Sequence, residues 1–320
     1  MSIRKPIILG FQGISNGRKT AYFGKLVYSL GLDLSFENYS RVKTFKSIVA
    51  LYTARSVRSM HFLLRFDHGN ISGKTDVSGS FWCEVDFDLR QTQLKQIQLE
   101  GGEIIHITDG SYRNSIHTIT AQKILISDLD DTLIDSFVNS KLKQLRSLLF
   151  TTVENRKVVK QTAAFVRQQA QSGVATLYLS NSEQNLYPML SRFLAINNFP
   201  PGALMLRQFV HLRNWLWSKI SRRTNTHKRT MLEKIIELFP DRQYMLLGDN
   251  TQRDLTIYLN VARQHPRSIQ CVIIRQATLK KSNEALVTEA ADFFQKNNIT
   301  FFYGTELPGD LLPALASTQL

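Results

Sequence analysis

Near Ala121 the hydrophobic pattern of this 320-residue chain changes period, and that change limits the folds open to it. From there on, short apolar runs alternate with amphipathic stretches. KILIS at 123–127 precedes a helical pattern over Thr162–Gln171, and TLYLS precedes another over Asn185–Asn197. YMLLG is followed by Gln252–His265, and QCVII by Glu284–Asn297 and then ITFFY. Strand-length apolar runs separated by helix-length amphipathic segments predict parallel strands joined by crossover helices. The expected fold of 121–320 is therefore α/β, a parallel sheet with helices on both faces. Ligands of such a sheet are expected beyond the carboxyl ends of its strands.

Before Ala121 the period is that of short strands. TAYFGKLV (Thr20–Val27), HFLLRF (His61–Phe66) and SFWCEVDF (Ser80–Phe87) are separated by clusters of Gly, Asn, Asp and Ser. HGNISGKTDVSG (His68–Gly79) strings several turn formers together, and Phe81, Cys83 and Val85 alternate after it. Strands at this spacing predict a small antiparallel β-sandwich over residues 1–120. The basic, apolar stretch Arg41–Val57 has a helical pattern and is expected to lie across it. With no catalytic constellation in this half, a packing or positioning role is expected.

The two cysteines, Cys83 and Cys271, lie far apart and in no metal-ligand spacing, which fits a reducing compartment. No apolar stretch approaches the roughly 20 residues of a membrane span. The apolar run in MSIRKPIILGF is too short for a signal sequence. The expected location is the cytoplasm, including a membrane surface facing it. A formal charge of +14 points to an anionic partner: a phosphate ester, an anionic lipid or nucleic acid. No zinc spacing, RRM-type aromatic signature or basic zipper accompanies the charge, so sequence-specific nucleic-acid binding is not expected.

The chemistry concentrates in KILISDLDDTLIDS, where Asp128, Asp130 and Thr132 follow the apolar stretch Ile124–Ile126. Two carboxylates one residue apart at the mouth of a buried strand repel unless a cation or a shared proton neutralises them. An EF-hand loop would need Gly at Leu133 and Glu at Asn139, so a calcium loop of that spacing is excluded. The obvious use of such a pair is Mg²⁺-assisted phosphoryl transfer, with Asp128 attacking and Asp130 moving the proton, and a solvated acidic strand end with no chemistry is the alternative.

Other strand ends carry complementary groups. Thr176–Leu179 runs into Ser180, Asn181 and Ser182, a hydroxyl and turn N–H groups suited to phosphate oxygens. Thr132, Ser180 and Asn181 are the candidate substrate-binding positions. His227-Lys228 stands at the start of an amphipathic stretch, Arg229–Phe239, where Lys228 could neutralise both Asp128 and a transferring phosphoryl group. Tyr244–Leu247 delivers Gly248, Asp249 and then Asp254. Gly248 is expected to serve a tight turn, and Asp249 to complete an oxygen shell for Mg²⁺ with Asp128 and the Asp130 carbonyl.

In order and spacing, Asp-x-Asp-x-Thr, Ser, Lys and Gly-Asp-x₄-Asp resemble the haloacid dehalogenase superfamily of aspartate-nucleophile phosphatases. Longer stretches resemble one branch of it more closely: SDLDDT, YLSNSEQNLYPMLSRFLAINNFPPGALMLR, HKRTMLEKIIELFP and LLGDNTQRDLTIYLNVARQHP. These are similar to the catalytic domain of the actin-patch-associated, Mg²⁺-dependent phosphatidate phosphatases. GFQG, FGKLV and TDVSGSFWCEV resemble the β-sandwich that precedes that domain in many relatives. The resemblance implies Asp128 as nucleophile and Asp130 as general acid/base. It implies Ser180 as phosphate binder, Lys228 as charge balance, Asp249 as Mg²⁺ ligand, and Asp254 as a group that orients the site or reaches the metal through water. The implied substrate is phosphatidate at a membrane surface. A soluble phosphomonoester, or a non-catalytic membrane or protein adaptor, are the alternatives.

The chain departs from the family pattern at Ser182-Glu183-Gln184, at GDNTQRDLT and at Ile274-Arg275-Gln276. These departures spare the core catalytic groups and are expected to alter the rim, where substrates are told apart. Arg207–Arg223, with Trp215 and Trp217 among cations, suits either a bilayer interface or a helix burying its Trp residues. Lys141–Phe150 is expected to contribute to a small cap.

Overall fold

The computed structural model describes residues 5–29, 31–66, 69–86, 94–106, 115–135, 149–208, 224–251, 253–277 and 283–307. Trp215 and Trp217, with most of Arg207–Arg223 and of Lys141–Phe150, lie outside the described residues.

In the N-terminal half, strands β1 (Pro6–Ser15) and β2 (Thr20–Tyr28) precede helix α1 (Arg41–Thr53). Then come β3 (His61–Phe66), β4 (Gly69–Lys74), β5 (Ser80–Val85), β6 (Leu94–Leu99), β7 (Ile104–His106) and β8 (Ser115–Thr118). They form two four-stranded sheets, ordered β5-β2-β1-β8 and β4-β3-β6-β7. Ile8, Phe11, Tyr22, Leu26 and Phe81 of the first sheet meet Phe62, Leu64, Ile71 and Ile97 of the second. The rings of Phe62 and Phe81 stand 4.8 Å apart across this core. The expected sandwich is present, with one correction. It is not wholly antiparallel, because β1 pairs β8 in parallel. β8 reaches that edge after the β6–β7 excursion through the other sheet, so no hairpin dictates its direction.

The C-terminal half runs β9 (Lys123–Ser127), β10 (Ile134–Asp135), β11 (Lys157–Val158), α2 (Lys160–Gln171), β12 (Ala175–Glu183), α3 (Tyr187–Ile196) and β13 (Leu204–Arg207). It continues with α4 (Thr224–Leu238), β14 (Gln243–Asp249), α5 (Asp254–Gln264), β15 (Ile269–Arg275), α6 (Glu284–Lys296) and β16 (Thr300–Gly304). Six strands make a parallel sheet in the order β13-β12-β9-β14-β15-β16. Side chains alternate between its faces. Leu125, Tyr178, Met245, Leu247 and Ile273 pack with Phe165 and Val166 of α2 and Met189, Leu190 and Phe193 of α3. Ile124, Ile126, Leu177, Leu246 and Val272 pack on the other face with Leu232, Ile235, Tyr258, Val261, Ala290 and Phe294 of α4, α5 and α6. The chain leaves the central β9 toward β12 on one side, and β14 pairs its other side. That strand-order reversal puts a crevice at the carboxyl end of β9, where Asp128 stands.

The sandwich joins this sheet through a continuous core. Leu9 and Val27 belong to one of its apolar faces, and Ile14, Ala21 and Phe23 to the other. The Gln12 side chain acts as a surrogate strand on β13, accepting from the Leu204 N–H at 2.6 Å and donating to its carbonyl at 2.9 Å. That covers an edge which would otherwise present unpaired backbone groups. Asn16 donates to the Leu238 carbonyl at the end of α4, 2.7 Å away. Gly10, at φ +68° in an irregularity of β1, lies under the Tyr187 ring, and a Cβ there would come within 2.5 Å of it.

Candidate active site

Asp128 extends β9 by one residue, its N–H donating to the Leu247 carbonyl at 2.8 Å. The chain then turns sharply. Asp131 adopts φ +59°, and the N–H groups of Leu133 and Ile134 both donate to the Leu129 carbonyl at 2.8 Å. The turn brings Thr132 back, so that its hydroxyl lies 3.3 Å from Asp128 Oδ2 and 3.4 Å from Asp249 Oδ2. Thr132 is fully buried and bridges two carboxylates.

β14 delivers Asp249 beside Asp128, and Asp254 opens α5. The Asp249 N–H points to Asp254 Oδ2 at 3.4 Å. Gly248 has a different function from the tight turn expected of it. Its φ is not in the left-handed region, but a Cβ there would meet Asp254 Oδ2 at 2.5 Å. The glycine is needed because a carboxylate packs against its backbone. α4 brings in Lys228, whose Nζ lies 2.9 Å from Asp128 Oδ1 and 2.6 Å from Asp254 Oδ1. These three side chains are fully buried.

Oxygens of Asp128, Asp249 and Asp254 all lie within 4.8 Å of one another. A single buried ammonium cannot balance three carboxylates. Burial, joined by the charges of Asp254, Asp249 and Asp130, pushes the Asp128 carboxyl well above the usual carboxylate range, against the pull of Lys228. Burial likewise raises Asp254 against the pull of Lys228. Burial also opposes the charge on Lys228, but Asp128 and Asp254 outweigh it and hold the ammonium protonated. A dry, all-oxygen cluster with surplus negative charge fits a hard divalent cation such as Mg²⁺.

Asp130 faces a different set of partners. Its Oδ2 accepts from Ser180 Oγ at 3.0 Å and from Ser182 Oγ at 2.7 Å, and Ser180 Oγ in turn accepts from the Ser182 N–H at 2.9 Å. The bulge in β12 makes this possible. Ser180 pairs with Leu206 and Glu183 with Arg207, so Asn181 and Ser182 are extra residues on that strand. Extra residues bend a strand and re-aim its side chains. Asn181 sits half-buried in the bulge. The structure thus groups Asp128, Thr132, Lys228, Asp249 and Asp254 as one cluster. It puts the side chains of Asp130 and Ser180 in an adjoining one.

Sequence reasoning did not assign roles to three contributors. Ser182 bonds Asp130, Arg275 Nη1 donates to the Asp131 carbonyl at 2.7 Å, and Thr251 Oγ1 reaches Asp131 Oδ2 at 3.4 Å. A second serine in SNS, and an arginine at a strand's carboxyl end, were the available signals. The departures at Glu183 and Gln184 are also placed differently from the expected rim. Glu183 is buried, ion-paired with Arg207, and accepts from Tyr52 of α1 at 3.0 Å. Gln184 accepts from Ser80 of β5, and Asn185 donates to the Leu51 carbonyl. These residues join the two halves of the chain, because the strand that ends at the site continues straight into α1's packing surface.

Residues 123–276 match a family model described as phosphatidate phosphatase APP1, catalytic domain. The phosphatidate phosphatase APP1 of Saccharomyces cerevisiae is 25% identical over 214 residues, covering 66% of this chain and 36% of that protein. An uncharacterised protein of Schizosaccharomyces pombe is 28% identical over 152 residues, 47% of this chain and 24% of the relative. The chain thus spans about a third and about a quarter of the lengths of these two relatives. Among solved structures, a carbohydrate acetylesterase from Xanthomonas citri aligns over 92% of this chain and 66% of its own. Its TM-score is 0.32 and its sequence identity 9%.

Proposed function

We propose, from the match of residues 123–276 to the phosphatidate phosphatase APP1 catalytic-domain model, that this chain belongs to that family and is a Mg²⁺-dependent phosphatase working through an aspartyl-phosphate, with phosphatidate as substrate. The observation that carries this reading is the buried Asp128–Lys228–Asp254 pairing, with Asp249 alongside, at the carboxyl end of the central strand. We read the parallel sheet as a haloacid dehalogenase-type fold on the same grounds. Residues 121–320 would be the catalytic unit, and residues 1–120 an accessory sandwich that buttresses it.

In this mechanism Asp128 attacks phosphorus in line and the bond to the leaving oxygen breaks, while Asp130 gives that alkoxide its proton. Asp130 then takes a proton from water as the water displaces Asp128 and frees phosphate. Two displacements replace one slow hydrolysis. Ser180 and Ser182, which donate to one oxygen of Asp130, orient it for both transfers. Lys228 holds Asp128 in place and offsets charge on the transferring group. Thr132 fixes the spacing of Asp128 and Asp249, and Ser180, Asn181 and Thr132 would border the phosphate. Asp128, Asp249, Asp254 and the Asp130 carbonyl would hold Mg²⁺, which supplies charge neutralisation and polarises phosphoryl oxygens. No helix among the described residues is long and apolar enough to cross a membrane. A cytoplasmic location, with the lipid met at a membrane surface, is part of this proposal.

The test is phosphate release from phosphatidate vesicles beside soluble phosphomonoesters, with and without Mg²⁺. Release from vesicles that requires Mg²⁺ and exceeds release from soluble esters is expected. Equal turnover of soluble esters would move the substrate class. No release from any ester would favour a non-catalytic adaptor.

A further inference from the structure

We propose that a cleft of about 680 Å³ beside the β10–β11 pair is a second anion site that takes a phosphate group, separate from the buried carboxylates. Arg156, Lys157, Lys160 and Arg275 line it against only Asp135 and Glu306, which leaves two positive charges in excess. None of Asp128, Asp249 and Asp254 is among its lining residues. The cleft carries opposite charge from the carboxylate cluster, so it can hold an anion without the cation that the carboxylates need.

Its geometry favours phosphate oxygens. Burial pushes the Arg156 guanidinium down to about 10, so it remains charged at neutral pH while poorly solvated. Its Nη2 donates to the Thr151 carbonyl at 3.3 Å and the Asp130 charge reaches it, so the guanidinium is held in place beside the exposed Lys157. Lys160 and Gln161, in the first turn of α2, also line the cleft. That turn holds no acidic residue, and Val159 at its cap supplies no side-chain acceptor, so the positive end of the helix adds to the cations. The volume accommodates a phosphorylated headgroup as well as free phosphate. The ligand would not be isolated from catalysis, since Arg275 also holds the Asp131 carbonyl between Asp128 and Thr132.

The proposal stands apart from the substrate assignment, and its test does not require turnover. Inorganic phosphate is titrated calorimetrically into the full chain with a chelator present. Without a cation the carboxylate centre repels phosphate, so the heat reports the cleft. Lys157 and Lys160 are exposed, so Lys157→Ala/Lys160→Ala is expected to fold and to keep hydrolysis of a soluble ester within about twofold, while phosphate affinity falls about tenfold or more. The single variants Lys157→Gln and Lys160→Gln serve if the double variant is poorly folded, each expected to weaken binding by about threefold. Co-sedimentation with phosphatidylcholine vesicles carrying phosphatidylglycerol separates the sources. Retention lost in parallel with phosphate affinity identifies a lipid headgroup, and retention unchanged identifies free phosphate. Phosphate affinity unaltered in the double variant, or no binding by the wild type, overturns the proposal. Absent hydrolysis with intact phosphate binding would count against the function and not against the cleft.

Discussion

Single side chains set the electrostatics of this site, and Gly248 does so by lacking one. Gly248→Ala puts a methyl group 2.5 Å from Asp254 Oδ2, which forces the carboxylate off Lys228. The expected outcome is at least a tenfold loss of Mg²⁺-dependent turnover and about 1–3 kcal/mol of stability, read by kinetics and denaturant unfolding. Gly101→Ala, with nothing within 4 Å of the new Cβ, should be near neutral. His227 makes a second residue-scale prediction. Burial, and then Arg207 and Lys228, lower its pKa to about 4, and its Nε2 has no hydrogen-bond partner among the described residues. The unfolded chain takes up this proton near pH 6.5 and the folded chain only near 4. The associated stability is therefore complete above about 6.5 and is lost as pH falls toward 4, by at most about 3 kcal/mol. His227→Gln should remove that part of the pH dependence, seen by comparing unfolding midpoints at pH 7.5 and 4.5. The acidic pair and Lys228 were legible in the sequence because like charges at a strand mouth demand an explanation. The need for Gly248 was not, since it depends on a side chain that reaches back from α5.

Elements decide where those residues meet. The alternation of apolar runs and amphipathic segments fixes β9, β12, β14, β15 and β16 and their helices, so the parallel sheet could be read before any coordinates. Most boundaries moved little, but the stretch expected from Arg229 begins at Thr224, which puts Lys228 inside α4 and not at its start. Thr162–Gln171 became Lys160–Gln171, and Glu284–Asn297 became Glu284–Lys296. What could not be read was the continuation of β12 past Ser180, because SNS looks like a turn and the register shift depends on the partner strand. Continuation of β12 places Glu183 against Arg207 and Tyr52 in the core. Glu183→Ala leaves Arg207 without its ion-pair partner and should cost about 3 kcal/mol or more, whereas Tyr52→Phe removes one hydrogen bond and should cost about 1 kcal/mol. Combining them should give less than the sum, because both remove the same contact. Chemical denaturation of the three variants checks this.

At the scale of the whole molecule, sandwich and parallel sheet share apolar faces and are joined by hydrogen bonds from Gln12, Asn16, Tyr52 and Ser80. Those polar residues read in the sequence as ordinary strand or helix positions, so the buttressing between the two halves was not legible. A chain limited to residues 121–320 should be insoluble, or should melt at least about 10 °C below the full chain, because it exposes the edge of β13 and the apolar surface under Leu9 and Val27. The charge of +14 and the basic cleft suit an anionic partner on this scale too. The central claim is that Asp128 is the nucleophile of a Mg²⁺-dependent phosphatase. It is tested most directly by phosphate release from phosphatidate vesicles with Mg²⁺, comparing wild type with Asp128→Asn. The account predicts Mg²⁺-dependent release by the wild type and a loss of at least about 10³-fold in the variant. Release by Asp128→Asn at the wild-type rate would contradict it.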